Sequence, residues 1–268
     1  MNDGRLVVTD SLTLCDRVDG ADVIVAGSFA GVLSFQFVLP SGPRGLIAHE
    51  AGVGLDRAGI SGLPLADRCG VPAAAVASMS ARLGDGRSVH EDGILSHVNA
   101  TAAALGLRAG LAARDAARLL LAAPPGRPGS GVEPVDRSAH VVLEAGGGRV
   151  VLLGSTSFTD AGHARDVIVA GSHGGRVNAR PLLAVRPRGV ISNDGGMARD
   201  RSGADGLPVL DAIGVAGATV DAMTARIGDP ASAWERGVIS AVNETAARAG
   251  VAVGQTAREA ACSMLGQI

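Results

Sequence analysis

The chain alternates short, wholly apolar runs with longer stretches in which apolar and polar residues mix. The runs cover residues 6–8, 23–26, 45–48, 72–77, 190–191 and 215–220. Apolar runs of this length are typical of strands that are buried on both faces of a parallel sheet. The stretches between them predict helices over residues 59–69, 93–105 and 112–121. Strands that alternate with helices predict parallel βαβ units and a three-layer α/β fold.

The same pattern occurs twice, at an offset of 144 residues. Residues 22–28 and residues 166–172 both read DVIVAGS, and residues 79–103 are identical to residues 223–247 at fourteen of twenty-five positions without a gap. Such self-similarity predicts a tandem duplication. Because equal copies commonly descend from a homodimer, we expect the two halves to be related by a pseudo-two-fold axis.

A run of prolines and glycines separates the two copies. Residues 124–131 read PPGRPGSG, a composition that disfavours helix and strand and is typical of a linker. We therefore expect a first α/β repeat over residues 1–122, a Pro/Gly-rich linker over 123–139 and a second α/β repeat over 140–268. Each repeat has the size of a domain.

The composition excludes several classes of protein. With 47% hydrophobic and 19% charged residues, the chain can bury a core. A net charge of −2 and only four Phe and one Trp leave neither a basic stripe nor a stacking platform, so we expect no nucleic-acid partner. The chain contains no Lys and no Tyr, which excludes Schiff-base chemistry, a P-loop lysine and a phenolic acid or base. We expect no cofactor.

Cysteine usage and hydropathy predict a cytoplasmic protein. Cys15, Cys69 and Cys262 are far apart, which argues against a disulfide framework and a cysteine zinc site. The N-terminus lacks the profile of a signal peptide, and no window approaches the length of an apolar membrane span. We therefore expect no membrane partner, and a homo-oligomer stays open.

Glycine-rich loops follow the predicted strands, where parallel α/β sheets bind ligands. In the second copy, Gly171, Gly174 and Gly175 can turn backbone N–H groups toward an anion. His173 between them is a candidate general acid or base. Ser172 is a candidate nucleophile, although no G-x-S-x-G motif surrounds it. The alternative is a tight turn from strand to helix with an exposed histidine.

Two arginines occur at equivalent positions, each followed after one residue by Gly-Asp. Arg82 and Arg226 can bind a carboxylate or phosphate in a bidentate manner, and Asp85 next to the first can orient the guanidinium. The alternative is an ion pair that holds the loop together. Asp56 lies at a predicted helix start, where an aspartate is commonly an N-cap.

The third predicted strand ends in different polar pairs in the two copies. His49 and Glu50 of the first copy correspond to Asn193 and Asp194 of the second, and all four are candidates for substrate binding. A metal site needs at least three ligands, and no spacing supplies them, so we predict no metal. The histidines without a counterpart are predicted to lie on the surface; they are His90, His97, His140 and His163.

The copies differ in which loops keep their glycines. This asymmetry predicts a composite pocket between the repeats that joins Ser172 and His173 to Asp56, Arg82 and Asp85. The predicted function is a cytoplasmic enzyme of hydrolase or lyase/isomerase type that acts on a small anionic metabolite without an organic cofactor. The alternative is a non-catalytic small-molecule-binding or assembly protein with the same anion pocket.

Overall fold

A computed structural model describes residues 4–128 and 131–266, and the chain divides into two compact units. Unit 1 consists of Met1–Val53, Arg57–Val135 and Ala198–Asp200. Unit 2 consists of Gly54–Asp56, Asp136–Met197 and Arg201–Ile268. Each unit thus includes a three-residue segment from the other half of the sequence. Residues 129 and 130 of the predicted linker lie outside the described residues.

Unit 1 is built on a five-stranded sheet. Its strands, in their order across the sheet, are β1 (Arg5–Thr9), β2 (Asp22–Phe29), β3 (Gly45–His49), β4 (Ala73–Val76) and β5 (Leu95–Val98). The first four strands run parallel, and β5 is antiparallel to β4. The four apolar runs predicted as strands in this half coincide with β1 to β4, which confirms a mostly parallel sheet.

Helices flank this sheet. They are α1 (Val32–Phe35), α2 (Gly62–Arg68), α3 (Gly86–Asp92), α4 (Ala100–Ala104) and α5 (Ala113–Leu121). Leu46 of β3 belongs to one apolar cluster together with Phe35 of α1. Its neighbour Ile47 belongs to a second cluster together with Leu120 of α5. Because successive residues of a strand point to opposite faces, the sheet has a core on each side.

The strand β5 lies where the sequence predicts a helix. Residues 93–105 contain β5 and only then the short helix α4, so the helix prediction is wrong for residues 95–98. Leu95 lies opposite Val76 and His97 opposite Ala75, with an irregular register between the two pairs. Pairing with the edge of β4 satisfies the backbone of this segment and outweighs its local preference for helix.

Unit 2 is built on a six-stranded sheet. Its strands are β6 (His140–Ala145), β7 (Gly148–Leu153), β8 (Val167–His173), β9 (Gly189–Asn193), β10 (Ala216–Val220) and β11 (Ile239–Val242), which lie side by side in this order. β7 to β10 are parallel, whereas β6 and β11 are antiparallel edge strands. Gly146 and Gly147 both have positive φ and form the tight turn between β6 and β7.

Short helices flank the second sheet as well. They are α6 (Arg176–Ala179), α7 (Leu182–Val185), α8 (Leu207–Asp211), α9 (Pro230–Arg236), α10 (Glu244–Arg248) and α11 (Ala257–Met264). Ile191 of β9 belongs to an apolar cluster together with Ala260 of α11. Ile168 of β8 belongs to another cluster together with Leu182 of α7. Within the described residues, every helix is too short or too polar to cross a membrane.

Asn99 is the N-cap of α4 and makes several buried hydrogen bonds. Its Oδ1 accepts from the N–H groups of Ala73 at 3.0 Å and Ala102 at 2.8 Å, and its Nδ2 donates to the carbonyl of Val71 at 2.9 Å. Asn243 makes the equivalent bonds at the start of α10. The helix predicted over residues 93–105 would place Asn99 inside it; the structure instead makes Asn99 and Asn243 N-caps that join the helix to the sheet.

We predict that Asn99→Ala destabilises the protein by about 2–4 kcal/mol, because it removes a cap and leaves buried backbone groups without partners. Urea unfolding followed by circular dichroism measures the loss. The control is Leu14→Ala, which changes a side chain that is 62% exposed and should alter the free energy of unfolding by less than about 0.5 kcal/mol. An Asn99→Ala variant as stable as the wild type would show that these bonds contribute nothing.

Candidate functional site

The glycine-rich loop of unit 2 starts inside the sheet, with Gly171, Ser172 and His173 forming the end of β8. Both polar side chains are buried. Oγ of Ser172 accepts a hydrogen bond from the N–H of Thr156 at 3.3 Å, and Nδ1 of His173 accepts one from the N–H of Gly175 at 3.1 Å. The first bond joins the end of β8 to the turn after β7, and the second closes the loop on itself.

The glycines of this loop allow close packing against the protein. A Cβ on Gly171 would lie 2.9 Å from the backbone of Gly228, and a Cβ on Gly175 would lie 2.7 Å from both the His173 ring and the carbonyl of Ser202. The cavity beside His173 has a volume of about 10 Å³, which is the space of a single water molecule. The surroundings of this loop therefore explain its glycines by packing.

His49 is fully buried at the end of β3 and uses both ring nitrogens. Nδ1 accepts from the N–H of Ala51 at 3.0 Å, so Nε2 carries the proton and donates to the carbonyl of Ala81 at 3.1 Å. Burial lowers the pKa of His49 to about 4, although the carbonyl of Ala81 and the nearby Glu50 oppose this shift. The ring is therefore neutral at physiological pH.

Asn193 makes the same pair of bonds at the end of β9. Its Oδ1 accepts from the N–H of Gly195 at 2.9 Å, and its Nδ2 donates to the carbonyl of Ala225 at 3.0 Å. The two side chains thus make equivalent pairs of hydrogen bonds in their units. In the part of the chain that the structure describes, no group of three His, Cys, Asp or Glu residues is arranged to hold a metal ion.

The carboxylates that follow these residues have different neighbours. In unit 1, Oε1 of Glu50 accepts from the N–H of Ser78 at 2.8 Å, and its Oε2 lies 3.5 Å from Nδ1 of His97. The same Nδ1 lies 3.0 Å from Oγ of Ser96. The His97 side chain is 31% exposed and that of Glu50 is 13% exposed. This cluster combines a held carboxylate with a histidine that reaches solvent.

In unit 2 the corresponding carboxylate is enclosed by hydrogen-bond donors. Oδ1 of Asp194 accepts from the N–H groups of Gly196 at 2.8 Å and Ala222 at 3.0 Å. Burial raises the pKa of Asp194, against hydrogen bonds from Ser240 and from these two backbone groups. Ala241 stands at the position of His97, so this carboxylate has no imidazole beside it at that position.

Sequence reasoning missed His97. It predicts His97 on the surface because the other copy has no counterpart, and it predicts a helix where the histidine lies on β5. Residues 95–98 read LSHV, which lacks the strict alternation of apolar and polar residues that indicates a strand, so the local pattern carried no signal for β5. A strand at that position lies beside β4, which brings His97 close to the loop after β3.

The loops after β3 and β9 have an unusual backbone. Residues 51–54 all have positive φ, between 47° and 71°, as do residues 195–198, between 55° and 67°. Asp56, Arg57, Asp200 and Arg201 follow in the same region. Left-handed backbone costs about 1–2 kcal/mol for each residue that is not glycine, and such strain is concentrated at functional sites. Both loops follow central parallel strands, where α/β proteins bind ligands.

The two equivalent arginines pair with these strained segments. In unit 1, Nη1 of Arg82 lies 2.9 Å from Oδ2 of Asp200. In unit 2, Arg226 binds Oδ2 of Asp56 through Nε at 2.7 Å and Nη2 at 2.6 Å. The Arg82 side chain is 33% exposed and that of Asp200 is 59% exposed. Ion pairs with this much exposure contribute at most about 1 kcal/mol.

The aspartates that follow the arginines also cap helices. Asp85 accepts from the N–H of Ser88 at 2.9 Å at the start of α3, and Asp229 accepts from that of Ser232 at 3.0 Å at the start of α9. Asp56 is not an N-cap as the sequence suggests, because it lies within a 3-10 turn over Leu55–Ile60. Arg226 has its shortest contacts with Asp56 of a strained segment, and its Nη1 also lies 4.0 Å from Oδ2 of Asp229.

Comparison of the chain with protein-family models, with curated proteins and with solved structures finds no match.

We predict that His49→Asn flattens the acid dependence of stability. Because the folded-state pKa lies near 4 and the unfolded value near 6.5, the unfolded chain binds the proton first as pH falls. The wild type should lose up to about 3 kcal/mol between pH 6.5 and 4 through this residue. Asn can make both bonds, as Asn193 does, without titrating. Urea unfolding at several pH values measures the difference.

The control for this experiment is His140→Asn, since the side chain of His140 is 63% exposed on β6. It should keep the wild-type dependence on pH. An unchanged slope in His49→Asn would mean that the buried imidazole does not control acid stability.

Proposed function

We propose that this protein is an enzyme that acts on a small anionic metabolite and uses Glu50 and His97 to move a proton. One observation carries the proposal: Nδ1 of His97 lies beside both the carboxylate of Glu50 and the hydroxyl of Ser96. A carboxylate at one ring nitrogen orients a histidine and leaves the other nitrogen to react.

The hydrogen bonds around His97 define which nitrogen is available. The hydroxyl of Ser96 donates to the carbonyl of Ala75 at 3.2 Å, so its oxygen faces Nδ1 as an acceptor. Oε2 of Glu50 is a second acceptor on the same side. A proton on Nδ1 satisfies both neighbours, and Nε2 then holds the lone pair that accepts a proton from a substrate.

The position of Glu50 is set by the strained loop. The N–H of Ser78 holds one carboxylate oxygen, and Oγ of Ser78 accepts from the N–H of Gly52 at 2.7 Å, inside the left-handed segment. The carboxylate is thereby tied to the end of β3 while its second oxygen faces His97. This support favours a preorganised acid–base pair over an exposed surface contact.

Arg82 supplies the proposed anion contact. Its ion pair with Asp200 is exposed and therefore weak, so a carboxylate or phosphate of a substrate can exchange with Asp200 at low cost. Arg226 with Asp56 offers the same chemistry in unit 2. The composite pocket around His173 stays a prediction, as does the cytoplasmic location.

The reaction class proposed is hydrolysis or a lyase/isomerase reaction. Each needs proton transfer next to a negatively charged group, which a histidine and an arginine perform without an organic cofactor. A hydrolase would use Nε2 of His97 to activate water. A lyase or isomerase would use it to remove a proton next to the carboxylate.

We also infer that the chain arose by tandem duplication. Equivalent contacts at the offset of 144 residues support this inference: Arg5 pairs with the buried Asp22, as Arg149 pairs with the buried Asp166. The buried asparagines and the paired arginines repeat at the same offset. The pseudo-two-fold relation stays a prediction.

The second candidate is a non-catalytic small-molecule-binding or assembly protein. Unit 2 favours it, because Ala241 replaces the imidazole and Asp194 is closed in by donors. Ser172 and His173 also have bonds to the backbone that explain their burial. In this alternative the loops that carry Arg82 and Arg226 bind an anion without turnover.

We predict that His97→Gln lowers turnover by at least about 100-fold, the usual contribution of a general base. Turnover is followed by proton NMR in deuterated water with a panel of small hydroxy acids, dicarboxylates and phosphate esters, which reports both hydrolysis and exchange of protons next to a carboxylate. Glu50→Gln should lower turnover less, because it leaves the imidazole in place. His140→Gln is the control and should keep the wild-type rate.

Turnover that survives in His97→Gln overturns the assignment of the base. Binding of panel members without turnover in the wild type would instead support the second candidate.

We predict that Arg82→Gln abolishes most of the thermal stabilisation that inorganic phosphate or malonate gives the wild type, while its own stability changes by less than about 1 kcal/mol. The matched control is Arg87→Gln, which removes an exposed ion pair with Glu91 on α3. Differential scanning fluorimetry measures both effects. Equal ligand-induced shifts in the wild type and Arg82→Gln would exclude Arg82 as the anion contact.

A further inference from the structure

The strand β1 is an open edge of the sheet in unit 1. β1 pairs with β2 on one side, and no strand of the described residues pairs with it on the other. The N–H of Arg5 donates to the carbonyl of Ala21, toward β2. Since backbone groups alternate in direction along a strand, those of Leu6 and Val8 point away from β2. Unpaired edges of this kind readily accept another strand.

The equivalent edge of unit 2 is covered by an antiparallel strand. β7 lies at the offset of β1, and β6 pairs with its outer side over Ala145↔Gly148 to His140↔Leu152. Leu143 and Ala145 of β6 pack against the apolar cluster next to it. The chain therefore contains an example of what this edge accepts: an antiparallel strand with apolar side chains on the helix side.

A groove lies beside β1 in unit 1. It has a volume of about 710 Å³ between β1, the end of α3 and α5, and its lining includes Leu6, His90, Glu91, Asp92, Arg114 and Arg118. In unit 2 Trp234 stands at the position of His90 and packs against the core, with the guanidinium of Arg258 5.0 Å from its ring centre. The groove is thus the space that a tryptophan and β6 occupy in the other unit.

We propose that β1 and this groove bind a second copy of the chain, with the two β1 strands paired antiparallel. An axis through Val7 places Leu6 opposite Val8 of the second copy, and Val8 opposite its Leu6. Both residues have outward-pointing backbone groups, so each pair exchanges two hydrogen bonds. Val8, which is 42% exposed, then packs against an apolar side chain.

The charges of the groove favour a symmetric partner. Glu91 and Asp92 at the end of α3 face the same groove as Arg114 and Arg118 of α5. Glu91, Asp92 and Arg118 also pair with Arg87, Arg199 and Asp115 of their own chain. A two-fold interface brings the same patch from each copy together, so a patch that contains both signs allows acidic side chains of one copy to face basic side chains of the other. A patch of one sign would repel its own copy.

Light scattering after gel filtration tests the proposal. The wild type should have twice the 26.6 kDa mass of the chain. Val8→Lys and Val8→Pro should be monomers with an unchanged circular dichroism spectrum, because a charge or a proline on an edge strand blocks pairing without removing an internal bond. The matched control is Val141→Lys, which changes a valine that is 44% exposed on β6 and should leave the dimer intact.

The register is tested by Val7→Cys. Directly opposite residues of a non-hydrogen-bonded antiparallel pair have Cα atoms about 4.5 Å apart, within reach of a disulfide. Mild oxidation should cross-link this variant into a covalent dimer that the wild type, with its native cysteines, does not form. A monomeric wild type, or a dimer that persists in both Val8 variants, overturns the proposal. A dimer without the cross-link overturns the register.

Discussion

In each unit, one buried side chain at the end of a central strand, β3 or β9, joins the loop that follows the strand to the loop that carries the equivalent arginine. His49 and Asn193 each accept a hydrogen bond from the N–H two residues later, at the start of a left-handed segment. Each also donates to the carbonyl of the alanine that precedes Arg82 or Arg226. One buried side chain thus links two loops that are separated in the sequence. An imidazole and a carboxamide both do this, because each offers one acceptor and one donor on a planar group.

The same framework carries different chemistry in the two units. Beyond these linking side chains, Glu50 lies beside an imidazole in unit 1, whereas Asp194 accepts from two backbone N–H groups in unit 2. A carboxylate next to a partly exposed histidine can take part in proton transfer. A carboxylate whose oxygen accepts from backbone N–H groups serves mainly as their hydrogen-bond acceptor. This contrast is why the proposed acid–base chemistry is assigned to unit 1 alone.

The edges of the sheets differ for a similar reason. In unit 2, β6 pairs with the outer edge of β7, and Trp234 packs against the neighbouring apolar core. Unit 1 has His90 in that place and a groove next to β1. Proteins protect edge strands against unwanted pairing by charge, by shortness or by a covering element. The proposed pairing of β1 meets this requirement with a second copy of the same strand.

The sequence by itself determined the α/β class and the parallel strands, because strands buried on both faces need continuous apolar runs that are visible locally. It also showed the internal similarity at an offset of 144 residues and the equivalent arginines, Arg82 and Arg226. Only the tertiary structure decided that residues 95–98 form a strand and that His97 lies beside Glu50. Pairing with β4 overrides local helix preference there, and the contact joins a residue on β5 to one in the loop after β3. Such contacts depend on strand order, which local composition does not encode.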